Sequence, residues 1–218
     1  MIGIVDNARI YMDTPGSRVN RKLLVDFKLN RNDKNVDFNL DTPWKKTTLQ
    51  AALTNTDEMK RIFTTVTVDG RNEYTFNAEV AIDEKSYSSQ YVPKVEIQIP
   101  GRDKILFTGD IKHRPGKKAV FTMALKNVFA EPIKTSGSVT MINEQNQMRY
   151  ETDLKFSSHL LNGKLATFVD NTKDQANSVS SMLDLEYTYK NQPQQSIKFE
   201  QRFVDGSASE TFSYTLDR

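Results

Sequence analysis

Apolar and polar residues alternate with a stride of two along almost the whole chain. The clearest runs are Leu23-Val25-Phe27-Leu29, Tyr74-Phe76-Ala78-Val80-Ile82, Met148-Tyr150-Thr152-Leu154-Phe156 and Leu183-Leu185-Tyr187-Tyr189, with shorter ones at Val95-Ile97, Ile105-Phe107 and Ile197-Phe199. Successive side chains of a strand point to opposite faces of its sheet, so this pattern specifies one apolar face and one polar face. No segment carries helical periodicity over a useful length. Thr56-Asp57-Glu58-Met59-Lys60 is the one stretch that reads as a helical turn, and it is too short to cover anything.

Turn chemistry separates the runs. Breaks fall at Thr14-Pro15-Gly16-Ser17, Asn30-Arg31-Asn32-Asp33, Asp69-Gly70-Arg71-Asn72, Ile99-Pro100-Gly101-Arg102, Arg114-Pro115-Gly116-Lys117, Asn143-Glu144-Gln145-Asn146, Asn162-Gly163, Asn191-Gln192-Pro193 and Asp205-Gly206. Asp69-Gly70, Asn162-Gly163 and Asp205-Gly206 are the best hairpin signals, because such pairs suit type I′ turns. The pattern predicts about a dozen strands, over 19–31, 34–41, 46–55, 61–69, 72–84, 93–99, 104–113, 118–127, 133–143, 147–161, 164–170, 178–190, 195–205 and 209–217. Many exceed the usual length of about 5–6 residues. Short loops between consecutive strands predict an all-β fold: a long antiparallel amphipathic meander, open or curved, or alternatively a β-sandwich. Composition is even from 1 to 218, which predicts a single β-sheet region.

Composition narrows the function classes. Lys and Arg number 30 against 28 Asp and Glu, a net charge of +2, which argues against a dedicated nucleic-acid binder. Hydrophobic residues make up 37% and aromatics 10%, with a mean hydropathy of −0.60. These values are low for a compact globule and too aromatic for a disordered chain, and they suit a half-wetted sheet. Without cysteine there is no disulfide framework and no thiolate metal site. Met1 to Asp6 lack the zones of a signal peptide, and Thr211 to Arg218 still alternate as a strand, so a fragment of a larger chain is expected.

The question is what covers the apolar face. About 40 side chains, each worth roughly 1.5–3 kcal/mol when buried, need a cover. A second layer of sheet, lipid tails around a barrel, or a lipid mass on an open sheet would each serve. The barrel is disfavoured because Phe27, Phe76, Phe107, Phe156 and Phe199 sit mid-strand rather than in two girdles. Alternation alone leaves sandwich core and lipid contact open.

A resemblance favours lipid. Leu40-Asp41-Thr42-Pro43-Trp44 followed by Leu49 to Asn55 resembles the β-sheet region of the large lipid transfer protein superfamily (apolipophorins, vitellogenins, apolipoprotein B), where a Thr-Pro-aromatic turn precedes an amphipathic strand. Tyr91-Val92-Pro93-Lys94-Val95-Glu96-Ile97-Gln98-Ile99-Pro100-Gly101, Ile105 to Gly109 and Ala124 to Ile133 look like the apolipophorin part of that region, nearest to the apolipophorin-like group 14 allergens of mites. It covers most of 36 to 218 through degenerate motifs, and the superfamily's amino-terminal lipid-transfer module is not expected within these 218 residues. The resemblance implies a secreted, extracellular lipoprotein that binds and transports lipid, with the rest of a parent chain, and IgE, as further partners. No cofactor beyond bound lipid and no enzymatic activity are expected. The expected lipid-facing stripe is Leu23, Val25, Phe27, Leu29, Tyr74, Phe76, Val80, Ile82, Val95, Ile97, Ile105, Phe107, Leu154, Phe156, Leu183, Leu185, Tyr187, Ile197 and Phe199, interrupted regularly only by Thr64 and Thr152.

Candidate chemistry is sparse. His113 and His159 are the only histidines and are far apart; no G-x-S-x-G elbow, G-x-G-x-x-G or Walker A sequence occurs. The acidic pairs Asp57-Glu58 and Asp83-Glu84 read as solvated loop charge. Trp44 suits either a lipid–water boundary or an ordinary strand end. The cluster Lys112-His113-Arg114-Pro115-Gly116-Lys117-Lys118 reads as a soluble hairpin tip, with attraction of anionic headgroups or polymers as the sharper alternative. Strands left open at the two ends predict self-association of the isolated chain.

Overall fold

The computed structural model describes residues 6–13, 22–144, 147–172, 178–204 and 207–216. Fifteen strands form one open antiparallel sheet whose order is the order of the chain, and the sheet does not close into a barrel. They are β1 (Asn7–Met12), β2 (Leu23–Asn30), β3 (Asn35–Asp41), β4 (Lys46–Asn55), β5 (Met59–Val68), β6 (Asn72–Lys85), β7 (Ser88–Gln98), β8 (Ile105–Arg114), β9 (Lys118–Lys126), β10 (Ile133–Glu144), β11 (Gln147–Ser157), β12 (Leu161–Thr172), β13 (Ser178–Tyr189), β14 (Gln195–Val204) and β15 (Ser207–Leu216). The all-β meander is therefore as expected, with fifteen strands rather than about a dozen. β1 is the strand the pattern leaves out: six residues offer only Ala8, Ile10 and Met12 at a stride of two. The described residues include no helix.

The turns follow their residues closely. Asp69 and Gly70 both take positive φ, 54° and 66°, and the Arg71 N–H donates to the Val68 carbonyl at 3.2 Å, the arrangement of a type I′ turn. Gly101 (φ 73°) and Gly116 (φ 68°) each follow a proline, and each turn is closed by one backbone hydrogen bond of 3.1 Å.

Two expectations fail. Thr56 to Lys60 is no helical turn: the Thr56 hydroxyl donates to the Met59 carbonyl at 3.1 Å and accepts from its N–H at 3.0 Å, closing a hairpin, and β5 begins at Met59. Asn162-Gly163 is no hairpin turn but part of β12. The Ser158 hydroxyl accepts the Leu161 N–H at 2.9 Å and reverses the chain earlier, so Gly163 falls opposite Phe156 in the ladder. The breaks at Thr14 to Ser17, Gln145-Asn146 and Asp205-Gly206 lie outside the described residues.

The chain divides into two compact units, one of Met1–Ile82 with Pro93–Phe107, the other of Asp83–Val92 with Thr108–Arg218. In the first, the ladders align Ala8, Phe27, Phe38, Leu49, Val66 and Tyr74 in one cross-strand row, and Leu29, Val36, Ala51, Thr64 and Phe76 in the next. In the second, Phe121, Gly137, Leu154, Leu165, Leu185 and Ile197 form such a row. Directly opposed residues share a face, so each unit gathers most of its apolar strand residues on one side, with Phe63 and Phe168 among the exceptions.

Among the described residues, nothing within either unit covers that side. No hydrophobic side chain among the described residues is buried, and Asn77, on the polar face, is the one buried polar side chain at 6% exposure. Backbone ladders and half-burial by cross-strand neighbours hold each unit together. A single layer lacks the core on which the roughly 5–15 kcal/mol of a typical domain depends.

Candidate lipid-binding face

All nineteen residues of the expected stripe lie on the apolar face of their unit. The registers place Leu23, Val25, Phe27 and Leu29 with Tyr74, Phe76, Val80 and Ile82 in the first unit. Val95 and Ile97 join them by alternation, because Lys94 and Glu96 between and beside them meet Glu79 on the polar face or Lys104 next to it. Ile105 and Phe107 follow Lys104 with the same parity. Leu154, Phe156, Leu183, Leu185, Tyr187, Ile197 and Phe199 share the face of the second unit.

The registers also add residues outside the expected stripe. Phe38, Leu40, Leu49 and Val66 belong to the first face, and Phe121, Val139, Leu165 and Val169 to the second. Their signal was present as short stride-two runs, but only the register shows that they adjoin the longer ones. Thr64 and Thr152 are not the only interruptions: Thr47, Thr135, Thr167 and Ser181 occupy the same faces. Threonine packs on a pleated surface through its methyl group, and its pattern signal is correspondingly weak.

Exposure and charge define what this face does. Tyr74 is 42%, Phe76 39%, Leu183 37% and Phe203 46% exposed. From β2 to β14 the strand positions on the apolar faces carry Lys60 and Glu84 as their only carboxylate or ammonium groups, both near strand ends. A contiguous apolar surface of this kind marks an interaction site.

The opposite face is a mesh of paired charges. In the first unit Arg61 Nε donates to Asn77 Oδ1 at 2.6 Å, Lys94 Nζ lies 3.8 Å from Glu79 and 3.4 Å from Glu96, and Lys104 Nζ lies 3.7 Å from Glu96. Burial pushes the Glu96 carboxyl up, but Lys104, Lys94 and the Asn77 amide together outweigh it and hold it below its usual 4.5. Asp26 is lowered by its hydrogen bond from Arg9. A depressed carboxylate stabilises the fold above its unfolded pKa, and that stability is lost as pH falls through the folded value. The thermal midpoint should therefore fall as pH drops below the usual carboxylate range, and Glu96→Gln should flatten part of that fall. A melting series over pH with both chains checks this. Arg guanidinium groups also cap the aromatics stranded on the polar face, Arg61 at 5.3 Å from the Phe63 ring and Arg149 at 4.8 Å from the Phe168 ring.

The remaining candidates take their blander places. Trp44 is 79% exposed at the tip of the β3–β4 hairpin, where Thr42 and Lys45 bond across the turn, and it is not part of the face. His159 lies in the β11–β12 turn with Nδ1 3.8 Å from Glu131, and His113 lies one residue before the end of β8, lining the same recess as Met141 and Tyr150. The basic cluster forms the β8–β9 tip around Gly116. Among the described residues no group of three or more His, Asp or Glu is placed to hold a metal ion. Compared with protein families, curated proteins and solved structures, the chain matches none.

Proposed function

We propose that this chain binds lipid through the apolar face of its sheet, as part of an extracellular apolipophorin-like lipoprotein that transports lipid. The observation that carries the reading is the uncovered apolar face, nearly free of charge, in both units. Burial against acyl chains is proportional to area and needs no directed contacts, so a face with few placed polar groups suits bulk lipid rather than one chosen molecule. The reading is non-catalytic. Secretion, a parent lipoprotein chain and recognition by IgE belong to the same proposal and rest on the resemblance of residues 36 to 218 to the apolipophorin region.

Flotation tests the reading. In a density gradient with phosphatidylcholine vesicles the chain should rise with the lipid, and without lipid it should self-associate. A lipid-free monomer that stays at the bottom would overturn lipid binding and favour a sheet that packs on protein, as a structural or adhesive module.

A further inference from the structure

The polar face of the second unit carries a feature that lipid binding does not use. Two adjacent cross-strand rows run over β9 to β13. One aligns Thr122, Ser136, Lys155, Lys164 and Glu186; the next aligns Ala124, Lys134, Ser157, Asn162 and Thr188. Between them lies a trough, with a recess of about 460 Å³ reaching from β8 to β11 and another of about 400 Å³ from β11 onward. Lys155 and Ser157 line both.

The charge pattern here departs from the rest of the sheet. Elsewhere the registers set unlike charges opposite one another, as Lys28 with Asp37, Asp41 with Lys46, Arg61 with Glu79 and Asp184 with Lys198. Lys155 opposite Lys164 is the one directly opposed pair of like charges among the described registers of β1 to β6 and β9 to β15. Lys164 is answered by Glu186 at 2.9 Å. Lys155 and Lys134, diagonal neighbours on adjacent strands, have no acidic partner among the described residues. Opposed like charges destabilise a ladder; Glu186 offsets this for Lys164 and leaves Lys155 as the member of the pair without an acidic partner among the described residues.

We propose that this trough binds a phosphate or sulfate group, with Lys134 and Lys155 as its cationic ligands and the Ser136 and Thr122 hydroxyls as further donors. Tetrahedral dianions accept several hydrogen bonds at once, which matches ammonium- and hydroxyl-bearing residues that line one recess from adjacent strands about 4.8 Å apart. Asp110, at the β8 end of the recess, faces Gln90 at 2.9 Å and Lys112 at 3.7 Å, which leaves the β10–β11 end for the anion. The trough lies on the side away from the apolar face, so it stays accessible when lipid covers the other.

Lysine acylation read by mass spectrometry on the full chain, with and without lipid, tests this. At constant ionic strength, inorganic phosphate or sulfate replacing chloride should slow acylation of Lys134 and Lys155 at least threefold and leave Lys198 unchanged. Lys155→Gln should abolish the protection of Lys134, and Lys134→Gln that of Lys155. Phosphatidic acid vesicles that protect both lysines, where phosphatidylcholine vesicles and free phosphate do not, would assign the same site to a lipid headgroup. Equal protection of all lysines, equal protection in chloride, or protection of Lys134 that survives Lys155→Gln would overturn the site. Flotation of the chain is independent of each of these results.

Discussion

The double variant Leu154→Glu/Ile197→Glu is expected to stay at the bottom of the gradient in which the parent chain floats. Both positions lie in the row Leu154-Leu165-Leu185-Ile197 and are separated by two strands, so the new charges do not face one another. Each substitution removes roughly 1.5–3 kcal/mol of apolar burial and adds a carboxylate that hydrocarbon does not solvate. Together they should lower partition onto vesicles by about a hundredfold or more, since each 1.4 kcal/mol is a factor of about ten. In lipid-free buffer the same glutamates meet water on an open face, so strand content by circular dichroism should be retained. A pair on the polar face, Asp153→Gln/Lys198→Gln, should float like the parent. Equal flotation of all three chains would contradict the assignment of the faces.

Gly163→Val is expected to destabilise the second unit more than any exposed substitution on it. A Cβ at Gly163 would meet the Glu186 carbonyl oxygen and stand 2.6 Å from Cζ of Phe156, whose ring lies over the glycine. Gly137 stands in the same relation to Phe121, with Cζ 2.8 Å from the added carbon. In both cases an aromatic ring fills the space above a glycine on the neighbouring strand, and a β-branched residue displaces it. Overpacking of this kind costs about 1–3 kcal/mol. The urea midpoint should fall accordingly; an unchanged or raised midpoint would mean that Phe156 does not rest on Gly163.

The legible part of this molecule was its parity. A stride of two assigns each side chain to a face within its own strand, and tight turns carry that parity to the next strand. The nineteen stripe residues were therefore readable as one face of each unit. Register was not readable, because apolar runs pair equally well after a shift of two residues. Phe38, Leu49 and Leu165 needed the ladders to join the face, and so did the lysine trough, which exists only because Lys134, Lys155 and Lys164 fall on adjacent strands.

Two local rules were overridden by side chains. Asn162-Gly163 carries the strongest hairpin signal of its region, yet the Ser158 hydroxyl closes the turn first and Phe156 claims the glycine as its partner. Thr56-Asp57-Glu58-Met59-Lys60 reads as a helical turn, and the Thr56 hydroxyl makes a hairpin of it. What covers the apolar face is a matter of partners, which no periodicity encodes.

Nitroxide side chains placed one at a time at Leu183, Asp184, Leu185, Glu186 and Tyr187 of β13, on vesicle-bound chain, test the central claim most directly. Molecular oxygen concentrates in hydrocarbon and a charged nickel complex stays in water, so their relaxation effects report which phase each position occupies. Lipid contact through one face predicts oxygen-dominated relaxation at 183, 185 and 187 and nickel-dominated relaxation at 184 and 186, a period of two matching the registers. Relaxation without that period, or positions 183, 185 and 187 shielded from both reagents as in a core between two sheets, would contradict it.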